Sequence, residues 1–364
     1  MMELNLYEIM KIAFDLHASD VHLTSGVPPI IRIDGKLHHL NDYPGLTPQA
    51  IKDLVYPFIT EEEIEELKNF KDLDTSFGIR GLGRFRANIY QQRGSIGVAL
   101  RIIMDRIPSF VELGLPAIIE EMAMKPRGLL LVTGPTGMGK STTLASIVGY
   151  INQNRLCHII TIEDPIEFLH HHGKGMVNQR EVGKDTTSFA QALRSSLRED
   201  PDIIMVGEIR DLESITAALT LAETGHLVLS TAHTNNAAQT IDRLIDVFPS
   251  SQQNQIRYQL SEVLEGVISQ LLLPHSSGQG RVLATEIMVS TPAVRNLIRE
   301  GKSNQILSLI QTGSQFGMHT MDQDLIRLYL AGRISQEVAL GFAFNQREME
   351  RILREKGVYK SAKL

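Results

Sequence analysis

A glycine-rich stretch at residues 134–142 constrains the fold of this chain more than any other feature of its sequence. The stretch fits the pattern of a glycine, any four residues, and then Gly-Lys-Ser/Thr. The apolar run 129–133 before it predicts a short buried strand, and apolar residues at helical spacing from Leu144 to Ile151 predict a helix after it. The stretch therefore joins a strand to a helix, where main-chain amides and a helix N-terminus can surround a triphosphate.

We expect every residue of this loop to take part in nucleotide binding: Gly134, Pro135, Thr136, Gly137, Met138, Gly139, Lys140, Ser141 and Thr142. In such loops the lysine, here Lys140, reaches the β- and γ-phosphates, and the hydroxyl, here Ser141, binds Mg²⁺. The residues leave ATP and GTP open as nucleotides, although no Asn-Lys-x-Asp motif for guanine occurs. A chance glycine-rich turn is the competing explanation, and the flanking strand and helix argue against it.

Composition narrows the class of protein. A length of 364 residues favours about two domains, and 43% hydrophobic with 21% charged residues is ordinary for a globular protein. No apolar run approaches the ~20 residues that a membrane span needs, and no signal peptide is visible. The single cysteine, Cys157, excludes an internal disulfide and is expected to be a buried, inert thiol. A net charge of −6 offers no overall basic surface for nucleic acid, which counts against a DNA translocase.

Hydrophobic patterning predicts an α/β protein with four segments. Residues 1–108 have the helix and strand patterns of a small α/β domain, and residues 109–117, with a glycine and a proline, are expected to form a linker. In residues 118–290, short apolar runs alternate with helical patterns, which predicts a parallel sheet covered by helices on both faces. Residues 291–364 are mostly helical in pattern and are expected to form a C-terminal subdomain.

Two arginines are predicted to share one face of a hairpin in the first domain. Apolar and polar residues alternate through 84–90 and again through 96–102, with a turn between the two runs. This alternation places Arg86 and Arg101 together on the polar face. The face is either a solvated basic surface or a supply of arginine to phosphate, and both remain open. We therefore include Arg86 and Arg101 among the candidate catalytic residues.

Two acidic residues follow predicted strands of the second domain. Glu163 comes directly after the apolar run 159–162, and Glu208 follows the run 203–206, with Gly207 where many P-loop ATPases have aspartate. Hydrolysis needs a magnesium ligand and a base that orients water. We expect Glu163 to be the base and Glu208 to serve the Mg²⁺ shell, and the reverse assignment stays open. A helix cap or a surface charge is the alternative for either acid.

Histidines occur in two further places. His226 and His233 flank the predicted strand 227–230, and their position beside the nucleotide site suggests that they sense the γ-phosphate. A lone histidine is more often structural, so this role is the less common one. Three consecutive histidines at 170–172 look like metal ligands, but neighbouring side chains cannot easily converge on one ion. We expect a solvated loop there.

A helix is predicted to begin at Thr291 and Pro292. Its apolar residues lie on one face, while Arg295 and Arg299 are four apart on another. We expect the apolar face to pack on the core and the polar face to have no structural role.

These motifs together resemble the secretion ATPases of type IV pilus and type II secretion systems. The resemblance covers most of the chain, from the Ala-Ser-Asp-Val-His run at 18–22 to the C-terminal helices. Residues 134–141 resemble the family's Walker A motif, 161–167 its Asp box, 203–208 its glycine-containing Walker B motif and 225–235 its His box. Residues 293–300 resemble a motif of the retraction ATPases, with Val294 where isoleucine is usual. Met138 departs from the serine common in the loop.

The resemblance implies a PAS-like N-terminal domain and a RecA-like C-terminal domain that assemble into a homohexamer. It implies an ATPase with ATP and Mg²⁺ as cofactors that powers pilus retraction, and hence twitching motility. The implied partners are an inner-membrane platform protein of the PilC type and, indirectly, the pilin fibre, with no nucleic acid and with membrane contact only through partners. The implied location is the cytoplasmic face of the inner membrane. A pilus or secretion assembly ATPase, a DNA translocase and a monomeric P-loop kinase are the alternatives.

Overall fold

A computed structural model describes residues 4–33, 35–103 and 106–361, with side chains up to residue 355. The chain divides into two compact units. The first is Met1–Arg106 together with Glu167–Leu169, and the second is Ile107–Ile166 together with His170–Leu364. Residues 109–117 therefore belong to the second unit, in which residues 110–113 form a short helix.

The first unit is an antiparallel sheet with helices. Its helices are α1 (Leu6–Asp15), α2 (Pro48–Val55) and α3 (Glu61–Phe70), and its strands are β1 (Asp20–Leu23), β2 (Ile30–Ile33), β3 (Lys36–His39), β4 (Asp72–Ile79), β5 (Gly83–Gln92) and β6 (Ser95–Ile103). Within the described residues the strand order is β3-β2-β1-β6-β5-β4, and every neighbouring pair is antiparallel.

Alternation along β5 and β6 decides which side chains this sheet buries. Phe85, Ala87 and Ile89 are fully buried on β5, and the residues between them face the other side. Arg86 pairs directly with Arg101 in the β5–β6 register. The prediction that these two arginines share a face is therefore confirmed.

The second unit contains the remaining elements. Its helices are α4 (Phe110–Leu113), α5 (Ile118–Ala123), α6 (Lys140–Asn154), α7 (Phe189–Ser196), α8 (Leu212–Glu223), α9 (Ala237–Asp246), α10 (Ser250–Val263), α11 (Pro292–Arg299), α12 (Ile306–Thr312), α13 (Met321–Leu330), α14 (Gln336–Phe342) and α15 (Gln346–Ser361). Its strands are β7 (Gly128–Thr133), β8 (His158–Glu163), β9 (Met176–Glu181), β10 (Ile203–Val206), β11 (Leu227–Ala232), β12 (Leu264–Pro274) and β13 (Arg281–Val289).

The sheet of this unit has the order β13-β12-β7-β11-β10-β8-β9 among the described residues. Only the β12–β13 pair of that order is antiparallel, so β7, β8, β10 and β11 all end at the same edge. Side chains of α5 and α6 pack on one face of the sheet, and those of α8, α9 and α10 pack on the other. Because the central strands are buried on both faces, they are continuous apolar runs in the sequence.

This architecture confirms the predicted fold class: an antiparallel α/β unit followed by a RecA-like unit with C-terminal helices. Cys157 is buried as expected, and burial raises the pKa of its thiol. In the part of the chain that the structure describes, no helix combines the length and apolar character that crossing a bilayer requires.

The polar face of α11 corrects one expectation. Arg295 is mostly buried, and its guanidinium donates to the carbonyl oxygens of Ser290 (3.1 Å), Ser261 (2.6 Å) and Glu262 (2.5 Å) and to Glu265 Oε1 (2.8 Å). Two of these carbonyls lie in the last turn of α10, where the helix leaves them without internal partners. Arg295 therefore ties α11 to the end of α10, and the expectation that it has no structural role was wrong.

Candidate functional site

The glycine-rich loop connects β7 to α6 at the carboxyl edge of the sheet. Gly134, Gly137 and Gly139 all have positive φ angles, of +143°, +80° and +78°. A Cβ atom on Gly134 would lie 2.4 Å from the carbonyl oxygen of Gln270, so only glycine fits there. α6 begins at Lys140, directly after the last of these glycines. The loop thus wraps around the N-terminus of a 15-residue helix, which is the geometry of a phosphate cradle.

Lys140 is folded onto its own loop. Its Nζ donates to the carbonyl oxygens of Gly134 at 2.8 Å and Pro135 at 3.1 Å, and it lies 3.4 Å from His233 Nδ1. The side chain is buried, with 8% of the residue exposed. A buried ammonium group needs such partners because desolvation is costly. Phosphate oxygens in this loop would be stronger acceptors for the same ammonium group.

Strand β12 supports the loop from the side, which the sequence analysis did not anticipate. Gln270 Nε2 donates to the carbonyl oxygen of Met138 at 2.5 Å, and the main-chain nitrogen of Leu272 lies 3.2 Å from the Met138 sulfur. At the base of the loop, the Thr133 hydroxyl donates to Ser269 Oγ at 2.9 Å. These contacts span more than 130 residues of sequence, so no local pattern could reveal them. Met138 contributes its carbonyl and its sulfur to this packing.

Glu163 is a buried carboxylate at the end of β8, with 8% of the residue exposed. Its Oε1 accepts hydrogen bonds from Thr161 Oγ1 at 2.6 Å and from Gln179 Nε2 at 3.0 Å. The neighbouring strand β9 supplies Gln179, because the two strands are parallel and in register. A carboxylate that is buried, hydrogen-bonded and placed at the carboxyl edge is suited to orient and deprotonate water.

Glu208 follows β10 and faces different partners. Its Oε2 lies 2.5 Å from Arg210 Nη2 and 3.4 Å from His233 Nε2. Because the Lys140 ammonium can only donate, His233 Nδ1 must accept, which leaves the imidazole proton on Nε2 to donate to Glu208. His233 therefore links Lys140 to Glu208. Sequence reasoning missed Arg210, although its position two residues after Glu208 was visible.

The structure separates the two histidines that sequence analysis grouped together. His233 lies at the carboxyl end of β11, while His226 precedes the first residue of that strand. Seven residues at ~3.3 Å each place the two about 23 Å apart. His226 Nδ1 contacts the Leu221 carbonyl oxygen at 2.9 Å and the Thr224 hydroxyl at 3.2 Å, at the end of α8. The structure does not bring His226 to the loop, so its predicted sensing role has no geometric support.

Three side chains at the carboxyl edge of the sheet carry oxygen atoms of the kind that binds a magnesium ion. Ser141 lies in the first turn of α6, and Glu208 and Glu163 lie at the ends of neighbouring strands. Hydroxyl and carboxylate oxygens are the ligands that Mg²⁺ takes together with nucleotide phosphates. Of these groups, Ser141 and Glu208 would hold the ion, while Glu163, whose Oε1 accepts two hydrogen bonds, would act on water.

The histidine run at 170–172 forms an irregular segment, with His171 and His172 exposed, as expected. His172 Nδ1 accepts from the main-chain amide of Val177, and burial lowers the pKa of His170 to about 4. Across residues 4–33, 35–103 and 106–361, no group of three or more histidine, cysteine or acidic side chains converges on a possible metal site.

The two candidate arginines, Arg86 and Arg101, pair with carboxylates of their own unit. Arg86 contacts the carboxylate of Asp74, and Arg101 Nε lies 3.0 Å from Asp20 Oδ1. The side chains of both arginines remain partly exposed, at 42% for Arg86 and 69% for Arg101. Ion pairs at this exposure are weak, so either arginine could exchange its partner for a phosphate at little cost.

The fold and the loop together define a class of protein, the P-loop ATPases with a RecA-like core. Within that class, the chain belongs to the family described as Type II/IV secretion system protein, whose model matches residues 109–338. This assignment confirms the resemblance drawn from the sequence motifs.

Individual relatives match nearly the whole chain. The chain is 48% identical to the type IV pilus retractation ATPase PilT of Pseudomonas aeruginosa, over 92% of this chain and 97% of that protein. It is 45% identical to a twitching motility protein of Neisseria gonorrhoeae, over 94% of this chain and 92% of that protein.

Solved structures agree with these matches. A crystal structure described as the pilus retraction motor PilT with bound ADP superposes with a TM-score of 0.90 and 53% identity, covering 96% of this chain and 100% of that one. The ATPase DotB of Legionella pneumophila superposes with a TM-score of 0.75 and 30% identity, covering 92% and 93% of the two chains.

Proposed function

We propose that this protein is a Mg²⁺-dependent ATPase that works as the motor subunit for retraction of type IV pili. The observation that carries the proposal is the loop at 134–142, whose glycines admit no side chain at Gly134 and whose lysine lies at the start of α6. The relatives' names, a pilus retractation ATPase and a twitching motility protein, support the assignment of the work that hydrolysis performs.

In this proposal each residue near the loop has one task. The main-chain amides of the loop bind the phosphates, and Lys140 exchanges its carbonyl partners for phosphate oxygens. Ser141 and Glu208 hold Mg²⁺, which neutralises charge on the phosphates when it is bound. Glu163 orients the attacking water and takes its proton. His233 contacts both Lys140 and Glu208, so it is placed to respond when Lys140 changes partner.

We propose that six copies form a ring and that the motor acts at the cytoplasmic face of the inner membrane. Hydrolysis in one subunit would shift its neighbour, and identical head-to-tail interfaces would pass the movement around the ring. The ring would act on an inner-membrane platform protein of the PilC type and, through it, on the pilin fibre.

In the same proposal, residues 1–108 and 118–290 are the moving domains, 109–117 the linker and 291–364 the helical subdomain. Arg86 and Arg101 would supply positive charge to a nucleotide bound by the neighbouring subunit.

The test combines one substitution with two measurements. Lys140→Ala removes the ammonium group at the loop, and we expect it to abolish ATP hydrolysis by the purified protein and twitching motility of a complemented deletion strain. Lys68→Ala is a matched control, because Lys68 is an exposed lysine of α3 that pairs with Glu65. We expect the control to keep both activities.

The two measurements separate the two parts of the proposal. Appreciable turnover by Lys140→Ala at saturating ATP would contradict the nucleotide site. Normal hydrolysis by the native protein, combined with a deletion strain that retains motility and normal piliation, would instead assign the motor to another secretion machine. DNA-stimulated hydrolysis would favour a translocase.

A further inference from the structure

The side chain of Glu163 is held by a short chain of hydrogen bonds that no motif predicted. Thr161 Oγ1 and Gln179 Nε2 both donate to the same carboxylate oxygen, Oε1, at 2.6 and 3.0 Å. Thr161 is fully buried and Gln179 is partly exposed. Two donors on one oxygen restrict rotation of the carboxylate about its last torsion, which is otherwise broad for glutamate.

The strand register explains why these two side chains meet Glu163. Thr161 lies two residues before Glu163 on β8, so both side chains point to the same face of the sheet. Gln179 is the direct partner of Thr161 across the parallel β8–β9 pair, which places it on that face as well. The three side chains therefore converge because of strand pairing.

Gln179 is itself oriented by the main chain. Its Oε1 accepts a hydrogen bond from the main-chain amide of His170 at 2.8 Å. An amide that accepts through its oxygen must present its nitrogen on the other side, so the bond from His170 makes Gln179 a donor to Glu163. The histidine run at 170–172 thus contributes a main-chain group to the site, and its imidazoles are not required.

We propose that Thr161 and Gln179 are positioning residues that hold Glu163 in the orientation and charge state needed to activate water. The proposal rests on the proposed ATPase function and on Glu163 as its base. Hydrogen bonds donated to a carboxylate favour its ionised form, which is the form that accepts a proton. They also fix Glu163 where a small displacement would lower the rate substantially.

Two substitutions remove the donors with little change of shape. Thr161→Val replaces the hydroxyl by a methyl group, and Gln179→Leu replaces the whole amide-bearing side chain by a slightly shorter isobutyl group. We expect each to lower kcat about 10- to 100-fold, in the range typical of outer-shell positioning residues, while KM and nucleotide affinity change by less than about twofold. Because the ionised carboxylate loses a donor, the acid limb of the pH profile of kcat should move to higher pH.

Controls separate positioning from general damage. Thr161→Ser keeps a hydroxyl in the same place and should restore most of kcat, and Gln49→Leu alters an exposed glutamine of α2 and should change nothing. In a Glu163→Gln background, adding Thr161→Val should cost no further rate, because residues that act through one group are not additive. Should Thr161→Val fail to fold in a thermal melt, Gln179→Leu at the partly exposed position carries the test.

The outcomes distinguish this inference from the proposed function. If Glu163→Gln loses the ~10²–10⁴-fold expected for a missing base, but Thr161→Val and Gln179→Leu keep normal kcat and pH profiles, the positioning role is overturned and the base stands. If Glu163→Gln hydrolyses ATP normally while Glu208→Gln does not, Glu208 is the base. That result overturns the base assignment and the positioning role together, and leaves the ATPase itself intact.

Discussion

Single residues of the nucleotide site are positioned mainly by the main chain. Gly134 is held against the Gln270 carbonyl oxygen, Lys140 against two carbonyl oxygens of its own loop, and Gln179 by the His170 amide. Main-chain groups cannot be removed by ordinary substitution. Glycine-to-alanine changes, however, test whether the close approach of two main chains is required.

Gly134→Ala and Gly137→Ala form such a comparison. Both glycines have positive φ angles, but an added Cβ meets the Gln270 carbonyl oxygen 2.4 Å away at position 134 and nothing within 4 Å at position 137. We expect Gly137→Ala to destabilise the ligand-free protein by about 1–2 kcal/mol, from the left-handed backbone alone. Gly134→Ala should cost about 1–3 kcal/mol more, because the added Cβ forces the main chain at Gln270, or the loop itself, to move.

Urea unfolding of the two variants measures this difference. Equal destabilisation by Gly134→Ala and Gly137→Ala would show that β12 yields easily, and that the contact with Gln270 does not restrain the loop.

At the scale of an element, α11 shows how a polar side chain can be structural. Val294 and Ile298 are buried as the spacing predicted, and Arg295 on the polar face closes the end of α10. Arg299, one turn later, makes a single ion pair of 3.1 Å with Glu262 and stays half exposed. The two arginines of this helix therefore differ in role although both fit the same polar pattern.

Single substitutions should separate these roles. Arg295→Ala leaves three carbonyl oxygens and the Glu265 carboxylate without this partly buried donor, and we expect it to destabilise the protein by about 1–3 kcal/mol. Arg299→Ala should cost less than about 0.5 kcal/mol, because exposed ion pairs contribute little. Urea unfolding of each variant gives both values, and a double substitution would confuse them.

Because Arg299→Ala should leave the fold nearly unchanged, it is the better variant for testing in cells whether the exposed face of α11 has a function. If Arg299→Ala proves as unstable as Arg295→Ala, the whole polar face is structural. If the urea midpoint of Arg295→Ala equals that of the native protein, the hydrogen bonds of Arg295 contribute nothing to stability. The assignment of Arg295 as a cap of α10 would then be wrong.

At the scale of the whole molecule, the two units carry different parts of the proposed chemistry. The loop, both glutamates and His233 belong to the second unit, while Arg86 and Arg101 belong to the first. Arg86 pairs with Asp74 and Arg101 pairs with Asp20, and because both arginine side chains are partly exposed these ion pairs are weak. In a ring of identical subunits, such arginines can serve a nucleotide bound by the neighbour.

Mixed rings test this arrangement. An arginine that stabilises phosphate charge is worth roughly 10³–10⁵ in rate, so Arg86→Ala alone should be nearly inactive. Rings that combine Arg86→Ala subunits with Lys140→Ala subunits should regain some ATP hydrolysis, because an intact loop can then face an intact arginine. As the control, rings of Lys140→Ala with Glu163→Gln subunits should stay inactive, since both lesions lie in the second unit. Absence of rescue in verified mixed rings would mean that Arg86 acts within its own chain or only as basic surface.

The sequence by itself determined the features that depend on neighbouring residues. Periodicity within short windows predicts the strand-loop-helix context of residues 134–142 and the buried run of β7. The same periodicity predicts that Arg86 and Arg101 share a face, and that Glu163 and Glu208 lie at strand ends. Strand geometry also predicts that His226 and His233, which flank β11, lie at its opposite ends. The sequence analysis did not use this geometry when it gave both histidines one role.

Only the tertiary structure decided which distant side chains became partners. Gln270 supports a loop more than 130 residues away, and Gln179 reaches Glu163 because β8 and β9 pair in one register and no other. Arg295 closes α10 because α11 returns across its end. A hydrophobic pattern specifies which face of an element is buried, and the crossing and register of elements then decide what that face, and the polar groups beside it, contact.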